Sequence, residues 1–112
     1  MNNDFEELKA KIEQSTKDKG LSHSKNVDKQ FIKFMEEVIA FKSEIDAWQL
    51  YKSFKHDENV KQDFSIEEVE RWNNIKLEIG NVFIELIVLC NQLGIDCVEC
   101  LKIACTKIEK EQ

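Results

Sequence analysis

The chain has no proline, three glycines, a single arginine and two histidines. Each scarcity removes a class of answer. A β-sandwich or an α/β domain of this length needs frequent turn punctuation, and so little Gly and Pro leaves long helices joined by few loops. A protein that grips a nucleic-acid backbone needs clustered Lys and Arg, whereas here Arg71 stands alone and the net charge is −6, which disfavours direct nucleic-acid binding. No uninterrupted apolar run is long enough to span a membrane, because Glu85 and Asn91 break the longest one. The opening Met-Asn-Asn-Asp-Phe-Glu-Glu lacks a basic region followed by an apolar run, so no signal peptide is expected.

What remains is 42% hydrophobic and 34% charged, a balance that suits amphipathic helices with wet outer faces. A chain of 112 residues has room for one domain, 1–112, and buries only about two-thirds of its unfolded surface. Cys90, Cys97, Cys100 and Cys105 lie close together in a helical stretch, with neither a second separated pair nor a nearby His. They lack the layout of a zinc knuckle, read as buried free thiols, and fit a reducing cytosol.

The pattern predicts four helices. The first runs from about Asp4 to Thr16, with a thin apolar edge of Phe5, Leu8 and Ile12; a linker containing Gly20 follows. The second runs from Asn26 or Asp28 to about Phe54, with Phe31, Phe34, Val38, Phe41, Ile45 and Trp48 on one face. A polar loop is expected over 52–64. Ser65-Ile66-Glu67-Glu68 is a capping box that opens the third helix, which Gly94 ends, and Asp96-Cys97-Val98-Glu99 opens a fourth running to about Glu109. Between Val82 and Cys90 the third helix is apolar on every side except at Glu85. That calls for more cover than four helices supply, and predicts a homodimer or homotetramer with Ile84 and Val88 at or near the contact.

Two acidic patches stand out, Glu36-Glu37 and Glu78-Ile79-Gly80-Asn81. Antiparallel packing along the apolar stripes brings Glu37 toward Glu78, an oxygen-only setting of the kind Mg²⁺ selects; a solvated flank is the alternative. Lys33 is placed either to meet a phosphate or to pair with its neighbouring carboxylates. Glu85 is either a structural acid, ion-paired or protonated by burial, or an acid facing a nucleotide cavity. Trp48 and Trp72 are core residues or base-stacking platforms, and His23 and His56 have no partner at catalytic spacing.

Lys33-Phe34-Met35-Glu36-Glu37-Val38, then Glu78-Ile79-Gly80-Asn81-Val82, then Leu93-Gly94-Ile95-Asp96 occur in an order that resembles the MazG-like, all-α nucleotide pyrophosphohydrolases, especially the short single-domain members of phages. The likeness covers about residues 28–109. It implies a four-helix all-α bundle assembled as a homo-oligomer in a bacterial or phage-infected cytosol. It further implies an Mg²⁺-dependent hydrolysis of a nucleoside triphosphate to a monophosphate and pyrophosphate. Glu36, Glu37, Glu78 and Asn81 match the metal positions, Glu37 and Glu78 carry the catalytic assignment, and Lys33 and Glu85 are the nucleotide-binding candidates.

The chain departs from that pattern where a third Glu becomes Ala40, and an Asp becomes Asn81. Two negative charges leave the site. At ~4 Å and an effective dielectric of about 20, each contributes about 4 kcal/mol per unit of metal charge before desolvation. The loss predicts weakened Mg²⁺ binding and weakened or lost hydrolysis. The family's basic C-terminal run is replaced by Glu109-Lys110-Glu111-Gln112, and 52–64 is longer than in the short members. Three functions fit these residues: a working pyrophosphohydrolase, a nucleotide binder without turnover, and an inhibitor-like module that engages a protein partner.

Overall fold

The computed structural model describes residues 4–55 and 65–111. It is all-α: among the described residues there are four helices, one short 3₁₀ turn and no strand. Helix α1 spans Asp4–Asp18, α2 Val27–Lys55, α3 Ser65–Leu93 and α4 Cys97–Glu111, with the 3₁₀ turn at Ser24–Asn26 ahead of α2. Of the expected 52–64 loop, Lys52 to Lys55 complete the last turn of α2, and 56–64 lie outside the described residues.

Two left-handed glycines end helices in the same way. At Gly20 (φ 70°) the amide of Leu21 bonds back to the Thr16 carbonyl at 2.9 Å, and at Gly94 (φ 70°) the amide of Ile95 bonds to the Cys90 carbonyl at 2.9 Å. Both are six-to-one closures that use up the orphan carbonyls of a final turn, and only glycine holds the required φ cheaply. The Asp96 Oδ1 then accepts from the Val98 amide at 3.0 Å, which caps α4 as the sequence predicts. The His23 Nδ1 does the same for the 3₁₀ turn, accepting from the Lys25 amide at 2.9 Å.

Helices α2 and α3 are antiparallel, since their partners run in opposite order: Gln30 and Lys33 meet Glu85, Glu37 meets Glu78, Trp48 meets Trp72 and Lys55 meets Glu68. Helix α1 lies on one side of this hairpin against α3. The buried Gln92 holds the connection to α1 in place, its Nε2 donating to the Leu21 carbonyl at 2.8 Å.

The four-helix bundle expected from the sequence does not close within one protomer. The turn at Gly94 sets α4 at 103° to α3, and from Glu99 to Glu111 every residue of α4 is exposed. The radius of gyration is 18.3 Å, against about 13 Å for a compact chain of this length. Val88, expected at a subunit contact, is buried within the protomer instead, because it shares with Ile12 and Thr16 of α1 the walls of one cavity. Ile84 on the same side remains 40% exposed. No single helix among the described residues is long and apolar enough to cross a membrane.

Among the described residues the buried apolar set is small: Tyr51, Ile75, Ile87, Val88 and Leu89. Each therefore carries a large share of the stability. Leu89→Ala should cost about 2–5 kcal/mol, whereas Leu77→Ala, at a 63% exposed position, should change stability by less than about 0.5 kcal/mol. Urea unfolding followed by circular dichroism measures both.

Candidate functional site

The seam between α2 and α3 carries a polar row on a seven-residue spacing. On α2 it is Gln30, Glu37, Glu44 and Tyr51; on α3 it is Arg71, Glu78, Glu85 and Gln92. Residues seven apart lie within ~20° of one another around a helix, so each set forms a line. All eight are buried or half-buried.

At one rung, the Gln30 Nε2 donates to the Glu85 Oε2 at 2.6 Å and to the Glu85 carbonyl at 2.9 Å. Lys33 stands 3.7 Å from the other carboxylate oxygen, so the lone charge of the apolar stretch is paired inside the protomer, across the α2–α3 seam. At the next rung a side-chain hydrogen bond joins Glu37 to Glu78. Burial raises the Glu37 carboxyl above its ordinary value of 4.5. The bond to Glu78 and the charges of Glu78 and Glu85 raise it further, against a smaller opposing pull from Lys33. One rung beyond, register sets Glu44 level with Arg71. The Oε2 of Glu78, the Oε2 of Glu44 and the Nε of Arg71 are buried and have no hydrogen-bond partner.

Of the residues singled out in the sequence, the fold thus unites Glu37 with Glu78, and Lys33 with Glu85. Glu36 is exposed, one residue and ~100° around α2 from Glu37, and does not join the pair. Asn81 and Ala40 are half-buried, each about one helical turn from a paired carboxylate. Trp48 and Trp72 pack on one another as a tilted pair, with ring centroids 4.7 Å apart and planes at 46°. The four cysteines are free; burial pushes the half-buried Cys90 and Cys97 thiols up.

Sequence reasoning missed the contribution of α1. A cavity of about 310 Å³ opens between α1, α2 and α3 beside Glu85, and Lys11 and Lys19 line it together with Lys33. Lys11, on a helix with only a thin apolar edge, and Lys19, in the turn that follows it, look like solvated charge, and nothing in their spacing says that the chain folds back to set them opposite Lys33.

The residues fit a divalent cation in one limited sense. Glu37 and Glu78 offer hard oxygen donors, and the orphaned Oε2 of Glu78 is the kind of atom a cation would satisfy. Among the described residues, however, no group of three or more His, Cys, Asp or Glu side chains is arranged to hold a metal. Two carboxylates are the donor set of a site that Mg²⁺ enters with waters and phosphates as its remaining ligands, not of a resident-ion cage.

No protein-family model, no curated protein and no solved structure matches the chain.

The raised carboxyl of Glu37 has a definite linkage sign. Below pH 4.5 the group is protonated folded or unfolded; as pH rises past 4.5 the unfolded chain releases a proton that the folded chain keeps, so stability falls until the folded group also ionises. Glu37→Gln keeps a donor and removes the ionisation. It should melt with the unmodified chain near pH 4 and above it at pH 8, in thermal melts followed by circular dichroism.

Proposed function

We propose that the chain is a MazG-like nucleotide-handling protein that binds a nucleoside triphosphate together with Mg²⁺, with hydrolysis weak or absent. The observation that carries this is the meeting of Glu37 and Glu78 from neighbouring helices, one rung along the seam from a cavity that Lys11, Lys19 and Lys33 line. It is the pairing that the MazG-like resemblance requires.

In this reading Glu37 and Glu78 hold the cation. The bound ion would neutralise phosphate charge and polarise a phosphoryl oxygen. Lys33, with Lys11 and Lys19 across the cavity, takes the phosphate oxygens as point charges. Glu85 positions Lys33 through their 3.7 Å ion pair and is itself held by Gln30. Ala40 and Asn81 withhold the two charges that would retain the ion without a nucleotide. The nucleotide is accordingly a co-ligand, and hydrolysis to a monophosphate and pyrophosphate lacks a well-held metal.

The proposal includes assembly as a homo-oligomer, dimer or tetramer. The support is the large apolar surface that the single protomer leaves in solvent.

The test is pyrophosphate release from a panel of nucleoside triphosphates with Mg²⁺ or Mn²⁺, beside calorimetry of nucleotide binding. Calorimetry should detect nucleotide binding that needs the cation, and turnover should stay below the ~1 per second of an ordinary enzyme. The double change Ala40→Glu and Asn81→Asp should tighten Mg²⁺ binding by about tenfold or more. Turnover at ordinary rates by the unmodified chain, lost in Glu37→Gln or Glu78→Gln, would overturn the weakened-site reading. Absence of nucleotide and metal binding in both forms would replace it with the protein-interaction reading.

A further inference from the structure

A second cavity, of about 400 Å³, lies between α1 and α3, and hydrocarbon makes up almost all of its lining. Phe5, Leu8 and Ile12 of α1 form one wall, and Gly80, Phe83, Ile84 and Ile87 of α3 form the other. Each set repeats at three- and four-residue spacing, so each wall is one face of one helix. Two such faces ordinarily interlock, side chain into groove. Here the α3 face has a glycine in place of one of its side chains, and the two faces do not fill the space between them.

Nothing in the backbone calls for that glycine. Gly80 sits inside α3, and the glycines with positive φ are Gly20 and Gly94. A Cβ at Gly80 would meet nothing within 4 Å, so no neighbour comes close enough to exclude a side chain. Glycine in a helix interior is less favourable than alanine, and what its missing side chain leaves here is volume.

Two lysines stand at this cavity, and their charges are differently placed. Lys9 lies within 3.7 Å of Glu6, Glu13 and Asp96, and its ammonium is committed to them. Lys11 forms no ion pair among the described residues, although it lines both this cavity and the lysine-lined one beside Glu85. Glu85, the carboxylate of that neighbouring cavity, is already matched by Lys33 and Gln30. The result is a dry slot with one unmatched positive charge where it meets a polar one.

We propose that this slot binds a single-chain carboxylate of about ten carbons, with its chain between α1 and α3 and its carboxylate at Lys11. The proposal goes beyond the nucleotide reading and does not depend on it. Length follows from volume: a methylene is close to a water molecule in size, and at ~30 Å³ each about a dozen such groups fill the cavity. The single negative charge follows from Lys11. An apolar slot of this size with one polar anchor is the usual build of a small-molecule site, and a thin flexible chain enters the space between two helices more readily than a folded partner does.

Titration calorimetry of the full chain with decanoate, kept below its micellar concentration, should show one equivalent bound. Octanoate should bind about tenfold more weakly, because two fewer methylenes are buried. Decanol should also bind about tenfold more weakly, because it leaves Lys11 unmatched, and Lys11→Gln should weaken decanoate by a similar factor while leaving decanol unchanged. Gly80→Leu puts a side chain into the cavity and a stronger helix former into α3. It should keep its helical circular dichroism, melt no lower than the unmodified chain, and lose decanoate. Leu8→Glu, at a 55% exposed position, should lose it as well, and decides alone if Gly80→Leu fails to fold. Absence of decanoate binding overturns the proposal, as do several equivalents bound or binding that neither cavity variant moves. Decanol that binds as tightly as decanoate overturns the anionic ligand. A sedimentation mass that falls in Gly80→Leu overturns it too, because the cavity is then a contact between copies of the chain.

Discussion

Two carboxyl groups that face each other across a helix seam cannot both carry full charge unless something positive stands with them. Glu37 and Glu78 are in that position, and much of the α2–α3 hairpin reads as a response to it. Burial and the neighbouring carboxylates hold the Glu37 carboxyl above its ordinary value. Glu85, one rung away, is close enough for its charge to be felt at Glu37, and it is paired with Lys33 and Gln30. The seam is thus polar along its length, and the apolar residues of α2 flank it instead of filling it. A polar line at a helix contact gives up stability that an apolar line would supply, but it fixes register, because a slip of one turn would strand every partner.

A small apolar core is the corollary. With the middle of the hairpin given to Gln, Glu and Arg, burial of hydrocarbon falls to a few residues around Ile75 and Ile87 to Leu89, and the remaining apolar surface points outward. Helix α1 covers one flank and ties itself to the start of α4 through Lys9, which stands 3.7 Å from Asp96. Helix α4 then departs into solvent. A chain built in this way holds its shape through directional polar contacts as well as its small core, and leaves much apolar surface in solvent.

Much of the fold was legible in the sequence. Capping residues and glycines act locally, so Asp96, Gly20 and Gly94 announced their helix ends without any knowledge of the tertiary structure. The meeting of Glu37 with Glu78 followed from their place at the edges of two apolar stripes. Other features were hidden because they depend on which faces meet. The stripe from Phe31 to Trp48 suggested an apolar seam, yet the most buried residues of α2 are Gln30 and Tyr51. Val88 read as surplus hydrophobicity until α1 was found lying over it. Lys11 and Lys19 acquire a role only through a chain reversal, and the direction of α4 depends on one glycine's dihedral angles, which composition does not encode.

The seven-residue rungs make this hairpin modular along its axis. Lengthening α2 and α3 together by seven residues would add one rung and leave every existing pairing in register, since seven residues return a helix to within ~20° of the same face. A single inserted residue in the middle of either helix would rotate everything beyond it by ~100° and turn the charged line out of the seam and apolar side chains into it. Variation in the length of such a chain is therefore confined to whole rungs, or to the stretch between Lys55 and Ser65 where the two helices are joined.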